Sequence, residues 1–399
     1  MKKQLWNSGS KLNSLVEAYT VWEDYILDME LLPYDIQASL AHAKMLKKIW
    51  TLSKNELKLL EKWLNEILNL WEKWEFIIEK SQEDCHTAIE QYLTEHYWEV
   101  GKKIHTWRSR NDQVLAMTRL FEKESISEIK LLIKELEKAW KEKIENIWDV
   151  DMPGFTHMQK AMPTTVSTWM WSYLDWFSDL FPLIEATQIL VDQNPLGSAS
   201  GYGIANFSLD KDFTTSEMWF AKTQENPMYC WISRGYFEKI VLENLWNYML
   251  LFWKFSSDLM LFTMSEFKYF SLPMEFTTGS SIMPQKRNYD LFEIMRWNIK
   301  KYFSCPDKIR NIISTIWSGY HRDLQLTKKP FIEWIHLFKD TIILLTEIIK
   351  HLEINKKNLE SAMTPDLYVT EKVYDKVNNW ESFRDAYLQV KEEWFKNSK

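Results

Sequence analysis

A mainly α fold built on a central bundle of long helices follows from three features of the chain. Apolar residues recur in steps of three and four at Ile126, Ile129, Ile133, Leu136, Trp140, Ile144 and Ile147, a stripe that needs a partner helix to cover it. The stretch from about Tyr236 to Phe267 is apolar nearly all round, as expected of a helix at the centre of a bundle. Strict apolar/polar alternation, the mark of half-buried strands, is scarce.

Taken in order, the chain divides into a small N-terminal helical domain (1–107), a long-helix bundle (108–345) and a small C-terminal helical domain (346–399). The bundle holds the Ile126–Ile147 stripe, a second helical stretch from about Thr165 to Leu190, and the Tyr236–Phe267 segment. Polar, turn-prone segments lie at 105–113, 152–165, 194–212 and 274–290. Loops on a rigid helical scaffold are where binding chemistry usually sits. No internal repeat or low-complexity linker interrupts the chain.

Its 399 residues can bury a large core. A net charge of −7 without a basic block removes the electrostatic case for nucleic acid. Cys85, Cys230 and Cys305 are odd in number and widely spaced, so they suggest neither a disulfide framework nor a metal site, and a reducing cytoplasm is the simplest setting. The N-terminal residues lack the apolar stretch of a signal peptide. The most apolar segment, Tyr248 to Met264, is broken by Lys254 and Asp258 and is expected as a buried helix, not a membrane span.

The richest polar segment is Thr278-Gly279-Ser280-Ser281-Ile282-Met283-Pro284-Gln285-Lys286-Arg287-Asn288. Gly279 gives backbone freedom, two hydroxyls follow, and Lys286 and Asn288 add a cation and an amide. Such a loop can offer backbone N–H groups, positive charge and an amide donor to a carboxylate. On spacing alone it is equally a polar surface loop.

This segment resembles the signature loop of the fumarase/aspartase superfamily, G-S-S-x-M-P-x-K-x-N, with Tyr289 where that family usually has proline. The run His105-Thr106-Trp107-Arg108-Ser109-Arg110-Asn111-Asp112-Gln113-Val114 is similar to the argininosuccinate lyase motif H-T-G-R-S-R-N-D-Q-V, except at Trp107. Thr156-His157-Met158-Gln159 with Met162-Pro163-Thr164-Thr165, and Tyr320-His321-Arg322-Asp323-Leu324-Gln325 with Lys328, resemble further segments of that family. So do Asp35-Ile36-Gln37-Ala38-Ser39, Glu83-Asp84-Cys85-His86-Thr87 and Phe383-Arg384-Asp385-Ala386-Tyr387, so the likeness spans nearly the whole chain. Sister enzymes acting on fumarate, aspartate or adenylosuccinate share the Gly-Ser-Ser loop but not the Arg-Ser-Arg-Asn-Asp run.

The resemblance implies a three-domain, fumarase/aspartase-like lyase that breaks argininosuccinate into arginine and fumarate in arginine biosynthesis, with no metal or organic cofactor. It also implies a cytoplasmic homotetramer associating through its long helices, each site taking residues from three chains. β-Elimination removes a proton beside a carboxylate and expels a guanidino nitrogen, so cations and aimed N–H donors must hold the carbanion. By resemblance Ser280 is the base, supported by Lys286, and His157 the acid, paired with Glu293. Ser39, Arg110, Asn111, Thr156, Asn288, Tyr320, Gln325 and Lys328 bind substrate. His86 is a hydrogen-bonded support, and His42, His96, His336 and His351 have no catalytic role. The alternatives are another fumarate-releasing lyase of the superfamily, or an inactive structural homologue.

Composition carries one anomaly. The chain has 22 Trp and 9 Gly, where a chain of this length would hold roughly 28 Gly at about 7%. Trp22, Trp98, Trp107, Trp171, Trp219, Trp253 and Trp380 fall where the family pattern has glycine, whereas Trp169 falls where the family itself has Trp. A gene whose UGA codons encode glycine, read with a table that makes them tryptophan, would produce this pattern. A diverged, Trp-rich protein is the other possibility, and real tryptophans there would favour the inactive homologue.

Overall fold

The four longest described helices are Asp24–Lys48, Arg110–Asn146, Tyr236–Phe262 and Lys328–His351. The computed structural model describes residues 13–147 and 150–397, and the Trp98 side chain lies outside what it describes. The Arg110–Asn146 helix begins where the sequence supplies a cap: Ser109 N–H donates to Asp112 Oδ1 at 2.9 Å and Asn111 N–H to Ser109 Oγ at 3.3 Å. Donors left over by the first turn are thereby satisfied. Every residue of the Ile126–Ile147 stripe is buried, as the periodicity requires.

Two expectations are refined. The stretch 165–190 is two helices, Val166–Asp179 and Phe181–Val191. Pro182, in the first turn of the second, has no N–H to continue the earlier ladder and restricts the residue before it. The polar segment 152–165 is a two-stranded antiparallel hairpin, Asp151–Thr156 paired with Gln159–Thr165. Its tip is His157-Met158, with φ of 52° and 64°, the positive values that match a tight turn to strand twist.

The helices group into two units, each assembled from three stretches of chain. One takes the chain up to residue 130 with 182–246 and 303–337; the other takes 131–181, 247–302 and the chain from 338. The second unit has an aromatic centre. Trp169 stacks on Phe255 and Phe270, with ring centres 5.3 and 5.1 Å away. Asp258, the charge that interrupts the apolar Tyr248–Met264 segment, accepts from Trp169 Nε1 at 2.9 Å and from the Tyr173 hydroxyl at 2.7 Å. It thus satisfies two part-buried donors. Among the described residues no helix is long and apolar enough to cross a membrane.

Candidate active site

In the first unit a cavity of about 360 Å³ is lined by Arg110, Asn111, Tyr320, Gln325 and Lys328. These are five of the residues implicated by resemblance. Arg110 and Asn111 are the first residues of a helix, and Gln325 lies in the short 3₁₀ turn Arg322–Thr327 that delivers Lys328 to the start of the next helix. Arg110 Nη1 stands 3.2 Å from Asp84 Oδ2. Asp84 also caps the Cys85–Lys102 helix through the Thr87 N–H at 2.8 Å. Burial alone would raise the Asp84 carboxyl, but His86, Arg110 and the Thr87 donors hold it below the usual range.

Lys328 Nζ meets Asp28 Oδ1 at 2.7 Å and Asp24 Oδ1 at 3.0 Å. Burial would lower its pKa, but the two carboxylates outweigh this and raise it, so the buried amine stays charged. Glu83 reaches the cavity wall from a strained backbone, φ 70°, with the Asp84 N–H donating to the Gln82 carbonyl at 2.8 Å. A positive-φ γ-turn of this kind is rare and is held by its surroundings.

Ser39 is placed differently from the expectation. It is 1% exposed and its Oγ accepts from Arg108 Nη1 at 2.9 Å, so in this chain it buttresses Arg108 rather than facing the cavity. His86 does act as a support: its Nδ1 lies 3.0 Å from Asp35 Oδ2, and although burial lowers its pKa, Asp35, Asp84 and Asp28 outweigh that and raise it. Asp112 accepts from the Gly197 and Ala199 amides, both at 3.1 Å, which holds that loop in place.

In the second unit the Thr278–Asn288 loop is pinched at its neck. Thr278 and Asn288 exchange backbone hydrogen bonds of 3.0 and 2.9 Å, and Asn288 Nδ2 donates to the Gly279 carbonyl at 3.3 Å. Thr278 Oγ1 donates to Asp290 Oδ2 at 2.9 Å, tying the neck to the Asp290–Phe303 helix. Inside the loop, Ser280 Oγ accepts from two backbone amides, Ile282 N–H at 3.3 Å and Met283 N–H at 3.1 Å. Two donors aimed at one oxygen favour its ionised form. Gly279 is not needed for its conformational freedom: an added Cβ there meets nothing within 4 Å. Tyr289, which replaces the family's proline, fixes the loop's exit through its hydroxyl oxygen, which accepts from Leu272 N–H at 3.3 Å.

Lys286, Asn288 and Glu293 line a second cavity, confined to this unit. Thr156 and His157 stand exposed at the hairpin tip, and within one chain His157 makes no ion pair with Glu293. Apart from Ser39, the implicated residues therefore fall into three groups: the first-unit cavity, the signature loop with its cavity, and the hairpin tip.

The ligand atoms of Asp35, Cys85 and His86 lie within 4.8 Å of one another. They do not suit a metal. His86 Nδ1 is spent on Asp35, Arg108 Nη2 stands 3.7 Å from the same carboxylate, and burial pushes the Cys85 thiol well up, so it stays protonated. Sequence reasoning missed Asp24, Asp28 and Arg234. The spacing of the two aspartates, which puts both on one face of a helix, was a usable signal; an isolated arginine carries none.

The sequence model of the family described as Lyase matches residues 12–301. The chain is 41% identical over 394 residues to an argininosuccinate lyase of Thermotoga neapolitana, covering 99% of each protein. It is 36% identical to that of Sorangium cellulosum, covering 98% of this chain and 90% of the relative. Among solved structures, a Brucella melitensis fumarate lyase/delta crystallin superposes with a TM-score of 0.80 at 15% identity, over 97% of this chain and 89% of that one. A class II fumarase from Schistosoma mansoni gives 0.76 at 14% identity, over 93% and 88%. These structural likenesses bear on the fold alone.

Proposed function

Since the chain belongs to the argininosuccinate lyase family, we propose that it splits argininosuccinate into arginine and fumarate by β-elimination, as a step of arginine biosynthesis. The observation that carries the chemistry is the pair of backbone amides on Ser280 Oγ. A serine hydroxyl is by itself too weak an acid to serve as an alkoxide base. Two amide donors favour the ionised form, and Lys286 of the same loop adds positive charge. Ser280 then takes the proton beside the succinyl carboxylate, Lys286 and Asn288 hold the charge that develops there, and His157 protonates the departing guanidino nitrogen.

The substrate must meet the first-unit cavity, the signature loop and the hairpin tip together. In this reading other copies of the chain complete the site, in a homotetramer, as the family resemblance implies. Exposed Ile294 and Trp297, on the helix that follows the signature loop, offer apolar surface for such association. A cytoplasmic setting suits three free, buried thiols.

The test is product analysis. Fumarate should appear, as ultraviolet absorbance, from argininosuccinate and not from adenylosuccinate or malate. Release from either of the latter would overturn the assignment.

A further inference from the structure

Ten described non-glycine residues hold positive φ, and five of them are tryptophans: Trp50, Trp74, Trp107, Trp219 and Trp380. Four follow a helix and close it in the same way. Trp50 N–H donates to the Lys47 carbonyl at 3.1 Å and Thr51 N–H to Leu46 at 2.8 Å; Trp74 and Glu75 do so to Trp71 and Leu70 at 2.9 and 2.8 Å. Trp219 and Phe220 donate to Ser216 and Thr215 at 3.1 and 3.0 Å, and Trp380 and Glu381 to Val377 and Lys376 at 3.0 and 3.2 Å. This paired closure is the Schellman motif, whose left-handed position is usually glycine. A Cβ there crowds the following carbonyl. The indoles have nothing to recommend them either: these four are 90%, 77%, 75% and 98% exposed. Trp107, φ 63°, sits in the turn where Arg108 N–H donates to His105 O at 3.1 Å.

Trp169 is the opposite case, within a helix, its Nε1 bonded and its ring stacked on two others. We propose that the codon read as tryptophan at positions 50, 74, 107, 219 and 380 encodes glycine in the cell that carries this gene, while position 169 is a true tryptophan. Positions 50 and 74 are assigned by backbone geometry alone. The gene should hold UGA at the five positions and UGG at 169, and peptides of the protein purified from its own cells should carry glycine at all five. UGG, or a tryptophan peptide, at any of them overturns the assignment there. In the chain expressed with tryptophan, Trp50→Gly and Trp380→Gly should each raise Tm, since neither removes a packing contact; an unchanged or lower Tm would sink the steric argument.

A separate observation concerns Arg234, which lines the first-unit cavity. The other cations of that wall are committed: Arg110 to Asp84, Lys328 to Asp28 and Asp24, and Arg322 to the Thr20 carbonyl and Gln325. Arg234 is 4% exposed, yet its Nη2 has no hydrogen-bond partner. Its guanidinium carbon stands 5.9 Å from the centre of the Tyr320 ring. A buried guanidinium N–H calls for an acceptor, and the guanidinium fork matches a carboxylate.

Resting on the assignment of this cavity to the substrate, we infer that Arg234 is a specificity residue that seats the α-carboxylate of the arginine half. Asp24 and Glu83 on the same wall suit the α-ammonium. The test compares inhibition by arginine and by agmatine, which lacks that carboxylate, using the protein with its five glycines. Arg234→Gln should weaken arginine about 10–100-fold, as loss of a charge-assisted bond does, and leave agmatine unchanged, with Arg234→Lys between. Equal weakening of both inhibitors, or of neither, overturns the inference. If Gln325→Ala also leaves arginine inhibition untouched, the cavity's assignment to the substrate fails with it.

Discussion

Lys328 Nζ stands 2.7 Å from Asp28 Oδ1 with both side chains sealed from solvent, 3% and 0% exposed. A lysine on the wall of the first-unit cavity is therefore also one arm of a buried ion cluster. Removing one partner of such a pair leaves the other charge buried and uncompensated, which costs about 3–5 kcal/mol. Lys328→Ala should raise KM and also lower Tm. Lys328→Met with Asp28→Asn should recover most of the Tm and none of the KM. A Lys328→Ala protein as stable as the parent would show that the cluster is not closed as described.

Ser280→Ala and His157→Asn should each lower kcat by about 10²–10⁴ while changing substrate affinity little, because both act on protons in flight. Steady-state kinetics with a direct binding measurement separates the two effects. Near-normal kcat in Ser280→Ala would remove the signature-loop serine from the chemistry.

Glu122 predicts a pH dependence. Burial pushes its carboxyl up to about 8, with Arg119 opposing and Glu238 adding to the rise. The fold thus favours the protonated form, so its contribution is full below the ordinary glutamate value of 4.5 and declines as pH rises from there through about 8. Glu122→Gln removes this decline. Its Tm relative to the parent should climb between those pH values and level off above them; a constant difference would mean that Glu122 is not buried as a neutral acid.

Exhaustive dialysis against a chelator should leave turnover unchanged, because the one compact His/Cys/Asp group among the described residues is engaged in hydrogen bonds and holds a protonated thiol. Activity lost to the chelator and restored by a divalent ion would contradict the metal-free mechanism.

Periodicity was enough for the helical class and the 126–147 stripe, because burying one face of a helix leaves a local imprint at every third or fourth position. The signature loop was legible for a similar reason: its hydroxyls, cation and amide lie within one short stretch of chain. What the sequence could not decide depended on residues far apart in it. The hairpin at 151–165 was hidden by its short length and by polar residues at its tip. The bond from Arg108 to Ser39, and the closing of Asp24 and Asp28 around Lys328 some 300 positions away, join residues that no local pattern links. Arg234 has no local mark at all. Composition and the family pattern raised the question of the tryptophans, but only backbone dihedrals add Trp50 and Trp74, left-handed at helix ends. A dihedral is set by the hydrogen bonds that close a helix, and those partners are chosen in three dimensions.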